Sequence, residues 1–79
     1  MTLDELLRDE GAVVTRLDSV GAERRRLMDP GVMPGIEVRA EQTSPLGDPT
    51  AYLVRGSVIV LRRSQAERIH IESPEGPTA

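Results

Sequence analysis

Few side chains in this 79-residue sequence have the chemistry to act on a substrate. Cysteine is absent, so there is no thiolate nucleophile, no disulfide frame and no sulfur ligand for zinc or an iron–sulfur cluster. Lysine is absent too, and no Gly-rich phosphate loop occurs. A hydrolase or transferase would therefore lack a nucleophile, a base and a means of stabilising charge, and no catalysis is expected. The one histidine, His70, stands two positions before Glu72. On a strand that spacing puts an imidazole and a carboxylate on one face, a pair that divalent transition metals accept. Two ligands at an exposed site bind weakly, and an outward histidine is more often solvated. No tightly bound cofactor is expected, and His70 with Glu72 is the weak candidate for a metal.

Charge and aromatic content remove further classes. All ten basic residues are arginine, and thirteen acids bring the formal net charge to −3. Nucleic-acid binding needs net cationic surface that releases counterions, so no nucleic-acid partner is expected. Arg24-Arg25-Arg26 reads as a solvated helix face, with an acidic partner surface as the alternative. Tyr52 is the sole aromatic residue, too little for a platform that stacks bases or grips Pro-rich peptides. Apolar runs such as Ser57–Leu61 are far too short to span a bilayer, and the N-terminus lacks a signal-peptide pattern. The expectation is a soluble cytoplasmic chain with no direct membrane insertion.

At this length folding buries roughly 60% of the surface an unfolded chain exposes, enough for one modest core of Val, Ile, Leu and Met. A single domain is expected over residues 1–72, followed by a frayed tail, Ser73–Ala79, that carries Pro74 and Pro77. Thr2-Leu-Asp-Glu5 has the form of a capping box, with Leu3, Leu6 and Leu7 following on one face of a short N-terminal helix and Gly11 as its left-handed stop. Ala12–Leu17 is rich in β-branched residues and reads as the first strand. Ala22–Met28 reads as a helix capped by Ser19 or Gly21 and ended at Gly31.

Pro34-Gly35 fits the centre of a type II turn, and Ile36–Thr43 alternates apolar and charged residues as a strand with one wet face. Ser44–Pro49 holds two prolines and cannot join a ladder. Thr50–Val54 and Ser57–Leu61 form a hairpin about Arg55-Gly56, and the apolar Ser57–Leu61 run predicts a central strand packed on both faces. Arg62–Glu67 suggests one helical turn, and Arg68–Glu72 a fifth strand with Ile69 and Ile71 inward and His70 outward. Five short strands, a short N-terminal helix and one inserted helix predict a mainly β fold, a small SH3-like β-barrel.

Three stretches, taken in order, resemble the FeoA family of ferrous iron transport. They are Arg26–Gly35, then Ser44-Pro-Leu-Gly-Asp-Pro49, then Val54-Arg-Gly56 with Leu61–Ile69. The resemblance runs from about Val13 to Ile71. It implies an SH3-like barrel without catalytic activity, acting with FeoB, a membrane protein that has a G-protein domain and moves ferrous iron. Such a chain would sit in the cytoplasm and be recruited to the inner face of the cell membrane. Leu27, Gly31, Pro34 and Gly35 would shape the helix exit, Pro45 to Pro49 the loop and Gly56 the hairpin. Pro30 departs from the family pattern, which has an apolar residue there. In this setting Fe2+ is the ion that His70 and Glu72 would meet.

Docking on FeoB calls for exposed apolar groups. Val32 and Met33 lie between glycines, and Leu46 is held by flanking prolines. The expected contact surface comprises Leu27, Val32, Met33, Pro45, Leu46, Gly47 and Asp48. The alternative for each apolar member is a plug folded over an open barrel end. Two other functions stay open. One is an SH3-like sensing module related to the C-terminal domain of iron-dependent transcriptional regulators, with weak transition-metal binding. The other is a weak homo-oligomer, because open barrel edges pair with copies of themselves.

Overall fold

The computed structural model describes residues 1–43, 45 and 47–72. Leu46 and the Ser73–Ala79 tail lie outside the described residues. The strands are β1 (Gly11–Leu17), β2 (Glu37–Thr43), β3 (Thr50–Val54), β4 (Ser57–Leu61) and β5 (Ile69–Glu72). The helices are α1 (Gly21–Met28) and α2 (Arg63–Ala66). All pairings are antiparallel and the sheet order is β4-β3-β2-β1-β5.

The N-terminal helix is a single 3-10 turn, Leu3–Glu5, in which the Thr2 N–H donates to Glu5 Oε1 at 3.4 Å. Leu6 already has extended backbone, with ψ 130°. The three leucines therefore do not share a face: Leu3 is buried, Leu6 half-buried and Leu7 68% exposed. Asp9, not Gly11, takes the left-handed φ of 69°, and Gly11 opens β1. Short polar side chains tolerate that region by bonding locally, which lets Asp9 stand where glycine was expected.

Two register shifts bend the sheet over its core. One falls between Val14 and Arg16 of β1 and one between Ala40 and Gln42 of β2. A bulge inserts one residue, bends the strand and resets the alternation. That reset is why Ala12, Val14 and Leu17 are inward while Thr15 and Arg16 are both exposed. At the centre sits Tyr52, 2% exposed, with its hydroxyl donating to the Leu3 carbonyl at 3.4 Å. Burial pushes its phenol above the ordinary value of 10.0. Val14, Val38, Val54, Ile69 and Leu61 surround it in one aliphatic cluster.

The structure corrects two sequence expectations about α1 and β4. The residue before α1 is Val20, with φ −131°, so neither Ser19 nor Gly21 caps it; Ser19 is buried at 1% exposure. β4 is an edge strand, not a central one, with Val58 59% and Val60 62% exposed. The hairpin places β4 beside β3, and among the described residues no further strand pairs on its far side. An apolar run of five residues cannot by itself distinguish a buried strand from an apolar edge. The opposite edge, β5, is covered: Ile71 N–H donates to the Met1 carbonyl at 2.9 Å, and Thr2 bridges His70.

Candidate functional site

The exit of α1 is built from backbone hydrogen bonds that decide which of its apolar residues face outward. Val32 N–H donates to the Leu27 carbonyl at 2.9 Å and Gly31 N–H to the Met28 carbonyl at 2.9 Å, while Gly31 has φ 110°. This six-to-one plus five-to-two pairing about a left-handed glycine is a Schellman motif. The residue after the glycine in that motif packs back on the third residue from the helix end, and here Val32 and Leu27 both enter the core. Their exposures of 0% and 2% remove both from the expected contact surface. Met28, at 37%, and half-buried Met33 are the apolar side chains this exit presents. Pro30 is also half-buried.

Pro34-Gly35 forms the expected type II turn, with Gly35 at φ 93° and Ile36 N–H donating to the Met33 carbonyl at 3.2 Å. Arg55-Gly56 closes the β3–β4 hairpin with both residues at positive φ, 52° and 83°, the type I′ geometry that suits strand twist. The hairpin turn lies against the helix exit. A Cβ at Gly31 would lie 2.7 Å from Arg55 Cδ, and a groove of about 330 Å³ runs between Gly35 and Gly56. Ile36 and Leu53 supply its apolar wall, and Arg39, Arg55 and Glu37 its charges.

Sequence reasoning missed this groove. The available signal was Leu53: Tyr52 and Val54 point inward, so Leu53 is an apolar residue on the outward face.

The loop residues of the expected patch lie elsewhere. Pro45 and Asp48 are exposed and Gly47 is half-buried. Asp48 Oδ1 accepts from the Arg63 N–H at 2.9 Å, which ties the loop to the start of α2. The loop leads into Thr50, whereas Arg55 follows Val54 at the other end of β3. Four residue steps of strand separate those ends by roughly 13 Å.

His70 is held by a partner the sequence did not suggest. Its Nε2 is 2.6 Å from Asp18 Oδ2, across a separation of 52 residues. Arg16 Nε donates to Asp18 Oδ1 at 3.0 Å and its Nη2 lies 3.1 Å from His70 Nε2. Glu72 is exposed and takes no part in this cluster. Among the described residues, no group of three or more His, Asp or Glu side chains comes together in a form that could hold a metal. The Arg16 guanidinium beside both His70 and Asp18 would also oppose a cation between them.

The hydrogen bond from His70 holds the Asp18 carboxyl below its ordinary 3.8, and the Arg16 charge acts in the same direction. A carboxyl lowered on folding contributes stability above its unfolded value and loses it as pH falls through the folded one. Asp18→Asn should thus lower Tm at neutral pH, and its gap from the parent should narrow as pH falls below the ordinary carboxylate value. Melts followed by circular dichroism across that range check this; a gap constant with pH would show that the pair contributes nothing.

The arginine run on α1 reads as expected, with Arg24, Arg25 and Arg26 all exposed and Arg24 Nη1 donating to the Leu17 carbonyl at 3.4 Å. No helix among the described residues is long and apolar enough to cross a membrane.

Comparison with known proteins places this geometry. The family model described as FeoA domain matches residues 1–73. A fusion of Fe(2+) transport protein A with the Fe(2+) transporter FeoB from Porphyromonas gingivalis is 33% identical over 72 residues, which are 91% of this chain and 8% of that protein. The chain thus spans only a small part of that relative. The solution structure of FeoA from Chlorobium tepidum superposes with a TM-score of 0.90 at 36% identity, covering 99% of this chain and 74% of that one. Stenotrophomonas maltophilia FeoA, solved in complex with zinc and described as a prokaryotic SH3 domain protein, gives 0.80 at 34% identity over 91% and 89%. A manganese-dependent transcriptional repressor shares the fold alone, at 15% identity, with a TM-score of 0.81 over 92% of this chain and 41% of that one.

Proposed function

This chain belongs to the FeoA family, and from that premise we propose that it is a cytoplasmic accessory protein of ferrous iron transport that docks on FeoB and modulates or assembles it. The observation that carries this reading is the Porphyromonas gingivalis fusion, in which a counterpart of nearly the whole chain is covalently joined to FeoB. Covalent linkage holds two modules at high effective concentration, which is useful where they act on one another. The polar side chains at His70 are engaged with one another, His70 with Asp18 and Asp18 with Arg16, which fits a docking role rather than a reactive one. On this reading the protein performs no bond-making step, holds no tightly bound metal, and meets Fe2+ only as the cargo of its partner.

The α1 exit is the docking region this reading favours, because Met28 and Met33 offer adaptable apolar surface there. The test is titration of the purified chain into detergent-solubilised FeoB from the same source, followed by calorimetry. A complex with Kd in the range of about 1–100 μM is expected, with Met33→Asp weakening it roughly tenfold. Absence of any complex with the parent chain would refute docking. Unchanged binding by Met33→Asp would move the contact away from the α1 exit.

A further inference from the structure

The bare edge of β4 has a chemistry of its own. In a hairpin closed by two residues, the flanking pair Val54–Ser57 exchanges both hydrogen bonds, and such pairs then alternate along the ladder. Tyr52–Ile59 and Thr50–Leu61 are accordingly bonded pairs, while the N–H and C=O of Val58 and Val60 point away from β3. Among the described residues, no turn or loop backbone group reaches either valine. Their side chains are exposed as well, beside their cross-strand neighbours Leu53 and Ala51 on the outward face. Leu53 carries this apolar stripe into the groove at Ile36. Thus β4 offers unpaired backbone and outward apolar side chains at once, a template for a further strand.

Charge selects the occupant. The edge itself, Ser57-Val-Ile-Val-Leu61, has no charged residue, but Arg55 precedes it and Arg62 and Arg63 follow. Arg39 adds a fourth guanidinium on the groove wall. Among the described residues, Arg39, Arg55 and Arg62 have no carboxylate within salt-bridge distance. Antiparallel pairing with a second copy, centred on Ile59 so that each Val58 faces Val60 of the other chain, would gather Arg55, Arg62 and Arg63 of both copies at its ends. Like charges so placed oppose self-pairing.

We propose that the β4 edge captures an extended segment of another protein, with alternating β-branched residues across Val58 and Val60 and carboxylates at both ends against the flanking arginines. The inference concerns a mode of recognition, so it stands or falls independently of which protein supplies the segment.

Two synthetic peptides test it against the ¹⁵N-labelled full chain by NMR: Glu-Thr-Val-Thr-Val-Thr-Glu and its counterpart with lysine at both ends. The acidic peptide is expected to shift the Val58 and Val60 amides and to slow their hydrogen exchange about tenfold once it stands at ten times its Kd. The lysine counterpart should bind at least about tenfold more weakly. Val60→Pro removes a donor that the fold does not use, so it should retain slow exchange at Ile59 and Leu61 while losing the peptide. If that variant fails to fold, the double change Val58→Thr with Val60→Thr keeps the strand and should weaken binding severalfold. Equal binding of both peptides, or no change at Val58 and Val60, overturns the proposal. So does slowing that grows with protein concentration without peptide, which would give the edge to a second copy. None of these failures touches the FeoB titration, which reads a different complex.

Discussion

Tyr52→Ala should cost about 3–5 kcal/mol of stability and lower Tm by roughly 15–30 °C. Tyr52 is the largest fully buried side chain, and the strands β1, β2, β3 and β5 all contribute residues to the cluster around it. No second aromatic residue is present to fill the space it would vacate. The loss is large against a total of about 5–15 kcal/mol for a domain. Tyr52→Phe separates packing from hydrogen bonding: it keeps the ring, removes one of two donors to the Leu3 carbonyl while the Leu6 N–H at 3.1 Å remains, and should cost about 1 kcal/mol or less. Thermal melts of the three proteins decide the matter. An alanine variant that melted within about 5 °C of the parent would mean that the core does not depend on the ring.

Val32→Asp is expected to abolish the fold, with a loss of about 4 kcal/mol or more from a carboxylate placed at a fully buried site without a partner. Its neighbour gives the opposite outcome. Met33 is half-buried at the start of the type II turn, so Met33→Asp should leave the melt within a few degrees of the parent. Far-UV circular dichroism of both variants checks the contrast. Only the second is informative about partner binding, since a chain that has lost its sheet loses every surface at once. A well-folded Val32→Asp protein would show that the Schellman exit opens at little cost.

The pair Val32 and Met33 also shows how far the sequence could be read. Glycine at Gly31 was legible as the helix stop, yet the motif it closes fixes the next residue as well, and that consequence places Val32 inside. The local signals held where geometry is local. Pro34-Gly35 and Arg55-Gly56 form the turns their residue types demand, and β3 and β4 begin and end where the sequence placed them. Ile69 and Ile71 alternate inward as expected.

What escaped was set by chain segments distant in sequence. Nothing in Ser57–Leu61 says how many strands lie beyond it, so its edge position depends on the whole sheet order. Nothing near His70 points to Asp18 rather than Glu72; that choice is made by the β1–β5 register and the shift between Val14 and Arg16. The same bulge hid the phase change that turns Leu17 inward.

The solitary ring at the centre of the molecule has a spectroscopic consequence. With no tryptophan in the chain and its one phenol sealed from solvent, near-ultraviolet dichroism and tyrosine emission report on a single buried position. Any tryptophan fluorescence in a mixture with FeoB then belongs wholly to the other molecule, and a change in it can be assigned without labelling either one.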